Sequence, residues 1–320
     1  MKNVFGALLG VGAVAAVTET MAARYFFNRT MTRGGTEEAR TMRMAGTDWE
    51  QYIPWIREKR HWLETQKREE VWITSEDGLR LHGTFFPAEG SKKTVLCFHG
   101  YTSEGVKDYA AISEFYLSLG FHMLIVDERA HGQSEGTYIG FGCLDRRDAL
   151  LWMKYLDHRF QGKGETILHG ISMGGATVLM ASGLNLPESV KGIISDCGFT
   201  SPWEVFASVL RNTYKMPGFP ILQIADQMVK SEAGYSLKEC SAREEVKKAR
   251  IPILFIHGNK DTFVPCWMCH ELYSACLAPK GKLIVEGAGH AEAYYKNTEV
   301  YQHAVLAFLR EKVGGNYENI

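Results

Sequence analysis

Thr166-Ile167-Leu168-His169-Gly170-Ile171-Ser172-Met173-Gly174-Gly175-Ala176 is the stretch on which the fold turns. A short apolar run reads as a strand, the Gly-x-Ser-x-Gly-Gly segment as a tight turn, and the small-residue run after it as a helix over 173–183. A serine hydroxyl is a poor nucleophile unless it is held clear of the sheet and faces a base. A sharp strand-to-helix turn holds it clear, and side chains at the flanking positions would crowd that turn, hence Gly170 and Gly174. Gly175 and Ala176 then let the helix lie close to the sheet.

Outward from this turn the chain alternates apolar runs with helical patterns. Strands are expected at Thr94–Phe98, His122–Val126, Thr166–Leu168, Gly192–Ser195, Ile253–Ile256 and Lys282–Val285. Helices are expected at about 106–119, 144–157, 173–183, 266–276 and 298–312. Such alternation predicts an α/β fold, a mostly parallel sheet flanked by helices. Ahead of it, Val71–Thr74 and Leu79–Phe86 flank Glu76-Asp77-Gly78, a hairpin signal that supplies an antiparallel edge. A helix is expected from Asp48 to about Thr65, kinked or started by Pro54. Some fifty residues, 199–250, separate two strands where roughly a dozen suffice for a crossover. They carry helical patterns at Pro202–Tyr214 and Ile221–Lys230 and read as a small helical cap. Its aromatics Trp203 and Phe206 are candidate substrate contacts, although packing the cap onto the body is a sufficient role for either.

Partners for Ser172 follow in the order acid, then histidine. Ile253–Ile256 runs into His257-Gly258-Asn259-Lys260-Asp261, and Lys282–Val285 runs into Glu286-Gly287-Ala288-Gly289-His290. His290 is the candidate base and Asp261 the acid that orients it, with Asp196 or Glu286 as substitutes for the acid. An unperturbed histidine, with a pKa of about 6.5, suits proton transfer at neutral pH. Backbone N–H groups of Met173 and Tyr101 are the expected oxyanion donors, with Gly100 letting the chain turn in. Most of the eleven histidines should be structural. His99 is one of these, and His169 and His257 are expected to be satisfied by backbone hydrogen bonds. The loop Asp127-Glu128-Arg129-Ala130-His131-Gly132-Gln133-Ser134 reads as a charged turn held by side chains.

These motifs closely resemble the α/β-hydrolase superfamily, and within it bacterial serine hydrolases near the prolyl-oligopeptidase and acylaminoacyl-peptidase catalytic domains. The resemblance rests on His99-Gly100-Tyr101, Asp127-x-Arg129-x-His131-Gly132-x-Ser134, Gly170-x-Ser172-x-Gly174-Gly175, His257-Gly258-x-x-Asp261 and Gly289-His290, and it spans about 93–312. It implies an α/β-hydrolase fold and an acyl-enzyme route needing no metal or organic cofactor. The same fold carries esterases, thioesterases, lipases, peptidases and acyltransferases. Carboxylic esters with apolar acyl groups are the expected substrates. An acylaminoacyl- or dipeptidyl-type peptidase is the alternative, although the chain lacks the β-propeller of the oligopeptidases. A non-catalytic binding protein on the same fold is the rival from another class.

Composition sets the remaining bounds. The 320 residues are 45% apolar and 23% charged, with a net charge of −1, so no global field draws the chain to nucleic acid. Seven cysteines, an odd number, read as buried thiols, and Cys266-x-x-Cys269 lacks a second pair to complete a metal site. Every residue from Val4 to Val17 is apolar or Gly, a run of 14. That is short of the roughly 17 to 25 residues that cross a bilayer. Residues 1–27 thus read as an apolar anchor or signal segment, 28–66 as a linker and helix, and 67–312 as the hydrolase domain. Lys2 alone precedes the apolar run, whereas Arg24, Arg29 and Arg33 follow it. By the positive-inside bias a membrane anchor would leave the catalytic body cytoplasmic; secretion or a soluble cytoplasmic protein are the alternatives.

Overall fold

The computed structural model describes residues 2–33, 47–314 and 317, with side chains from Val17 onward. The polar stretch read as a linker falls partly at 34–46, outside the described residues. Helix α1 (Lys2–Met31) comes first, then α2 (Ile53–Glu64), which follows a short 3-10 turn at Trp49–Gln51. Pro54 lies in the first turn of α2, where a missing N–H costs nothing, so it marks the start of this helix and does not kink it.

Eight strands form one sheet in the order β1-β2-β4-β3-β5-β6-β7-β8. β1 (Glu69–Thr74) and β2 (Arg80–Phe86) make the antiparallel hairpin, and β2 is also antiparallel to β4 (His122–Val126). From β4 onward the neighbours β3 (Lys93–Phe98), β5 (Glu165–Ile171), β6 (Val190–Asp196), β7 (Ile253–Gly258) and β8 (Lys280–Val285) are all parallel. Each expected strand is present: β4 matches its expected bounds, β2 starts one residue later, β5 is four residues longer, and the others are longer by one to three.

Alternate residues of β3 show why both faces need cover. Leu96 and Phe98 belong to one buried cluster, whereas Val95 and Cys97 belong to the cluster on the opposite face. The second face is covered by α3 (Gly105–Ser118) and the C-terminal helices. The first is covered by α4 (Asp145–Arg159), the wholly buried α5 (Met173–Ala181) and the cap.

The cap lies between β6 and β7 and holds α6 (Pro202–Asn212), α7 (Ile221–Met228) and the short α8 (Ala242–Glu245). Ser201 caps the N-terminus of α6, its Oγ accepting from the Glu204 N–H at 3.2 Å, with Pro202 in the first turn. After β7 come α9 (Trp267–Ala275), α10 (Ala293–Lys296) and α11 (Thr298–Phe308).

The N-terminal segment is not suspended on a tether. Helix α1 runs on to Met31 and packs along α7, burying Ala23, Phe26, Phe27 and Met31 in the same cluster as the cap. Beyond it, Thr32 bridges Tyr138. Two of the arginines that read as a topology signal are used here. Arg24 pairs with Glu232, and the Arg33 guanidinium donates to the carbonyls of Gly132 and Ser134.

Candidate active site

Strand order reverses around β3, which has β4 on one side and β5 on the other. Crevices at such points, beyond the C-terminal strand ends, are where open α/β sheets bind ligands. Ser172 follows β5 directly, and its backbone adopts φ 55°, ψ −110°, a strained conformation for a residue with a side chain. The turn is possible only with bare neighbours. A Cβ at Gly170 would stand 2.1 Å from the Gly174 carbonyl oxygen, and one at Gly174 would stand 2.1 Å from that of Phe98.

Asp261, after β7, and His290, after β8, converge on this turn. Ser172 Oγ lies 2.8 Å from His290 Nε2, and His290 Nδ1 lies 2.7 Å from Asp261 Oδ2. The three side chains are 118 and 29 residues apart along the chain. Ser172 is buried, retaining 6% exposure, and its hydroxyl faces His290. Asp261 Oδ1 accepts from the N–H groups of Phe263 (3.0 Å) and Val264 (2.9 Å), which locks the carboxylate in place. Burial pushes the Asp261 carboxyl up, but the His290 charge and hydrogen bonds from His257 and His290 outweigh it, holding the group below the usual carboxylate range.

Other expected contacts fall as follows. Tyr101 lies in the loop after β3, and its N–H has no acceptor among the described residues. Met173 is the first residue of α5, where helix geometry leaves the N–H without an internal acceptor. The sharp turn of the β3 loop falls on Thr102, at φ 63°, and not on Gly100, whose N–H is bound by the Asp108 carboxylate at 2.8 Å. Phe206 is buried edge-on to Phe26 (5.3 Å) and Phe141 (4.7 Å). Phe141 in turn lies 5.3 Å from the Tyr101 ring. Trp203 is half-buried, with the Lys238 ammonium 3.7 Å from its ring centroid.

Two neighbours of the site were legible only in part. His257 lies beneath Asp261, with Nε2 2.8 Å from the Val264 carbonyl oxygen and 3.2 Å from Asp261 Oδ2. The expected backbone bond is present, but the ring also faces the acid, which the four-residue spacing to Asp261 could have signalled. Asp196, the rival acid, ends β6 and hands its carbonyl to the Ser172 N–H at 2.8 Å. Burial raises its carboxyl to about 6, against the lowering charge of His257. His169 departs from expectation: its ring nitrogens meet the hydroxyls of Tyr116 (3.0 Å) and Tyr301 (3.1 Å), not backbone groups. His99 is structural as read, with Nδ1 donating to the Gly100 carbonyl and Nε2 accepting from the Glu128 N–H.

For metals, the one His/Cys/Asp/Glu group of suitable spacing among the described residues is Cys197, Asp261 and His290. Two of these are already committed to each other by hydrogen bonding, so the arrangement suits proton transfer. Cys266 and Cys269 do not form such a group.

The charged loop after β4 is held by its own side chains. Asp127 Oδ2 lies 2.8 Å from His82 Nδ1 and accepts from the Gln133 N–H, and Ser134 Oγ donates to the Asp127 carbonyl. Arg129 makes a buried, two-pronged pair with Asp148 at 2.6 and 2.8 Å. Arg129→Met strands the Asp148 carboxyl in the interior, so we expect a loss of about 3–5 kcal/mol in urea unfolding.

Sheet, turn and converging side chains define the class: a hydrolase of the α/β-hydrolase fold. The profile of the prolyl oligopeptidase family matches residues 141–316, which take in Ser172, Asp261 and His290. The protein YqkD of Bacillus subtilis is 32% identical over 237 residues, covering 74% of this chain and 77% of its own. The chain belongs to the prolyl oligopeptidase family. Membrane protein YNL320W of Saccharomyces cerevisiae is 24% identical, with 72% of this chain and 78% of the relative aligned. Among solved structures, the esterase Pf2001 of Pyrococcus furiosus superposes with a TM-score of 0.63 at 25% identity, covering 78% of this chain and 94% of the esterase.

Proposed function

We propose that the protein hydrolyses carboxylic esters with apolar acyl groups through an acyl-enzyme on Ser172. The observation that carries this is the continuous hydrogen-bonded path from Ser172 Oγ through both nitrogens of His290 to Asp261. His290 Nε2 takes the hydroxyl proton as Oγ attacks the ester carbonyl carbon, and Asp261 holds Nδ1 protonated. The carbonyl oxygen gains the negative charge and is met by the N–H groups of Tyr101 and Met173. His290 then gives its proton to the departing alkoxide, leaving the acyl group on Ser172. Water repeats the sequence, releasing acid and free serine. Every proton is carried by a side chain, so the route needs no metal or organic cofactor.

The aromatic group Phe26, Phe206, Phe141 and Tyr101 supports an apolar acyl chain, and Trp203 is a further candidate contact. Rates on p-nitrophenyl esters of rising chain length should increase from acetate to at least octanoate, by roughly tenfold for every two buried methylenes at about 0.8 kcal/mol each. No turnover of any ester would defeat this reading, and faster cleavage of acylaminoacyl or dipeptidyl anilides would replace it with the peptidase one. We also place the protein at a membrane with its catalytic body in the cytoplasm. The Val4–Val17 run and the yeast relative support this, although no helix among the described residues is long and apolar enough to cross a bilayer. A net charge of −1 favours small-molecule esters over nucleic acid as partner.

A further inference from the structure

We infer that α1 is a rigid docking helix that seats the mouth of the active site on a lipid bilayer, and that the substrate is an ester dissolved in that bilayer. This rests on the ester-hydrolase reading and specifies its substrate.

The helix has two faces. The inner one buries Ala23, Phe26, Phe27 and Met31. Phe26 begins the ring-to-ring path through Phe206 and Phe141 to Tyr101, and the Tyr101 hydroxyl returns to α1 at the Arg29 carbonyl, 3.4 Å away. The C-terminal end of α1 is stapled to the body by the Ile139 N–H on the Met31 carbonyl and the Arg33 N–H on the Thr137 carbonyl, both at 2.9 Å. The outer face presents Val17, Met21 and Tyr25 at intervals of four residues, 59%, 68% and 62% exposed. This apolar stripe is one-sided and continues N-terminally, within the same helix, into the apolar run Val4–Val17.

A helix segment apolar on every side requires apolar surroundings on every side. The flat face of a second protein copy covers one side only; hydrocarbon covers all of them. Fourteen residues rise roughly 21 Å, short of the roughly 30 Å core, so the segment enters one leaflet and does not cross. Because α1 is continuous, no linker intervenes between that segment and the site. Val17 and Phe26 stand roughly 14 Å apart along the helix. A bilayer holding the first half therefore fixes the height and orientation of the Tyr101 loop above it. An acyl chain already in the leaflet then lies beside the aromatic cluster of Phe26, Phe206, Phe141 and Tyr101 that packs onto the β3 loop, whereas a water-soluble ester gains nothing from the docking.

The test uses the full chain, phosphatidylcholine vesicles with and without monooleoylglycerol, and soluble p-nitrophenyl butyrate. Two double variants are compared with the native protein: Leu9→Glu/Val14→Glu in the apolar run and Val17→Glu/Met21→Glu on the exposed stripe. Native protein should float with vesicles and hydrolyse vesicle-borne monooleoylglycerol. Both variants should lose flotation and at least tenfold of that turnover, while butyrate turnover stays within twofold. Native protein that remains soluble, or variants that keep vesicle turnover, would overturn the inference. So would a dimer in vesicle-free buffer that the stripe variant makes monomeric without changing flotation, since the stripe would then be a contact between copies. Flotation without turnover of either ester would instead sink the ester reading and the substrate named here, leaving only the docking surface.

Discussion

Ser172→Ala is expected to lower ester turnover by roughly six orders of magnitude in kcat, because removing the nucleophile disables the whole constellation at once. What remains should be the small acceleration that the oxyanion donors and binding supply without a nucleophile. A fluorophosphonate probe checks this independently of substrate: it should label the native protein and not the variant. The same substitution should leave the protein as stable as before, or slightly more so. The only hydrogen bond described for the hydroxyl is the one to His290, and an alanine fits the existing φ of 55° no worse than serine does. Stability spared while activity disappears is the signature of a strained residue held for chemistry. An unlabelled native protein would favour a binding protein that keeps the hydrolase fold.

Much of this site was legible because its constraints are local. Gly170 and Gly174 are dictated by backbone that a Cβ would meet at 2.1 Å, within the turn itself and at the adjacent strand end, so the motif carries its own geometry. Asp261 and His290 each follow a strand by a few residues, and parallel strands deliver their C-terminal loops to one rim. The docking of α1 was not legible in the same way. Phe26 and Phe27 belong to an aromatic cluster that reads naturally as the end of an anchor. Their partners, Phe206 and Tyr138, lie some 180 and 111 residues away and give no periodic signal. His169 failed for the same reason, since the tyrosines that satisfy it come from α3 and α11. Local pattern identifies which residues do chemistry; it does not identify which distant ring fills the space beside them.

The acid is where two neighbouring carboxylates can be told apart by experiment. Asp261→Asn should lower kcat about 10⁴-fold. Two N–H donors, Phe263 and Val264, occupy the Oδ1 position, so the amide oxygen of an asparagine must sit there. Its NH2 then takes the Oδ2 position and faces His290 Nδ1, which can no longer donate. The imidazole is forced to carry its proton on Nε2, toward Ser172, and cannot accept another. Asp196→Asn should change kcat by less than about tenfold, because that carboxyl orients neither nitrogen of His290.

Stability should move in opposite directions. The Asp261 carboxyl is lowered in the folded state, so its contribution is present above the unfolded value of about 4 and lost as pH falls through the folded one. Asp261→Asn should therefore destabilise at pH 8 and matter little in strong acid. Asp196 is raised to about 6, so ionising it opposes folding as pH rises from about 4 to 6, by about 3 kcal/mol once complete. Asp196→Asn removes that opposition and should stabilise the protein at pH 8, with the gain disappearing near pH 4. Urea unfolding at the two pH values, alongside ester kinetics, reads all four outcomes. An Asp196→Asn variant that loses activity as Asp261→Asn does, while Asp261→Asn stays active, would transfer the orienting role to the end of β6.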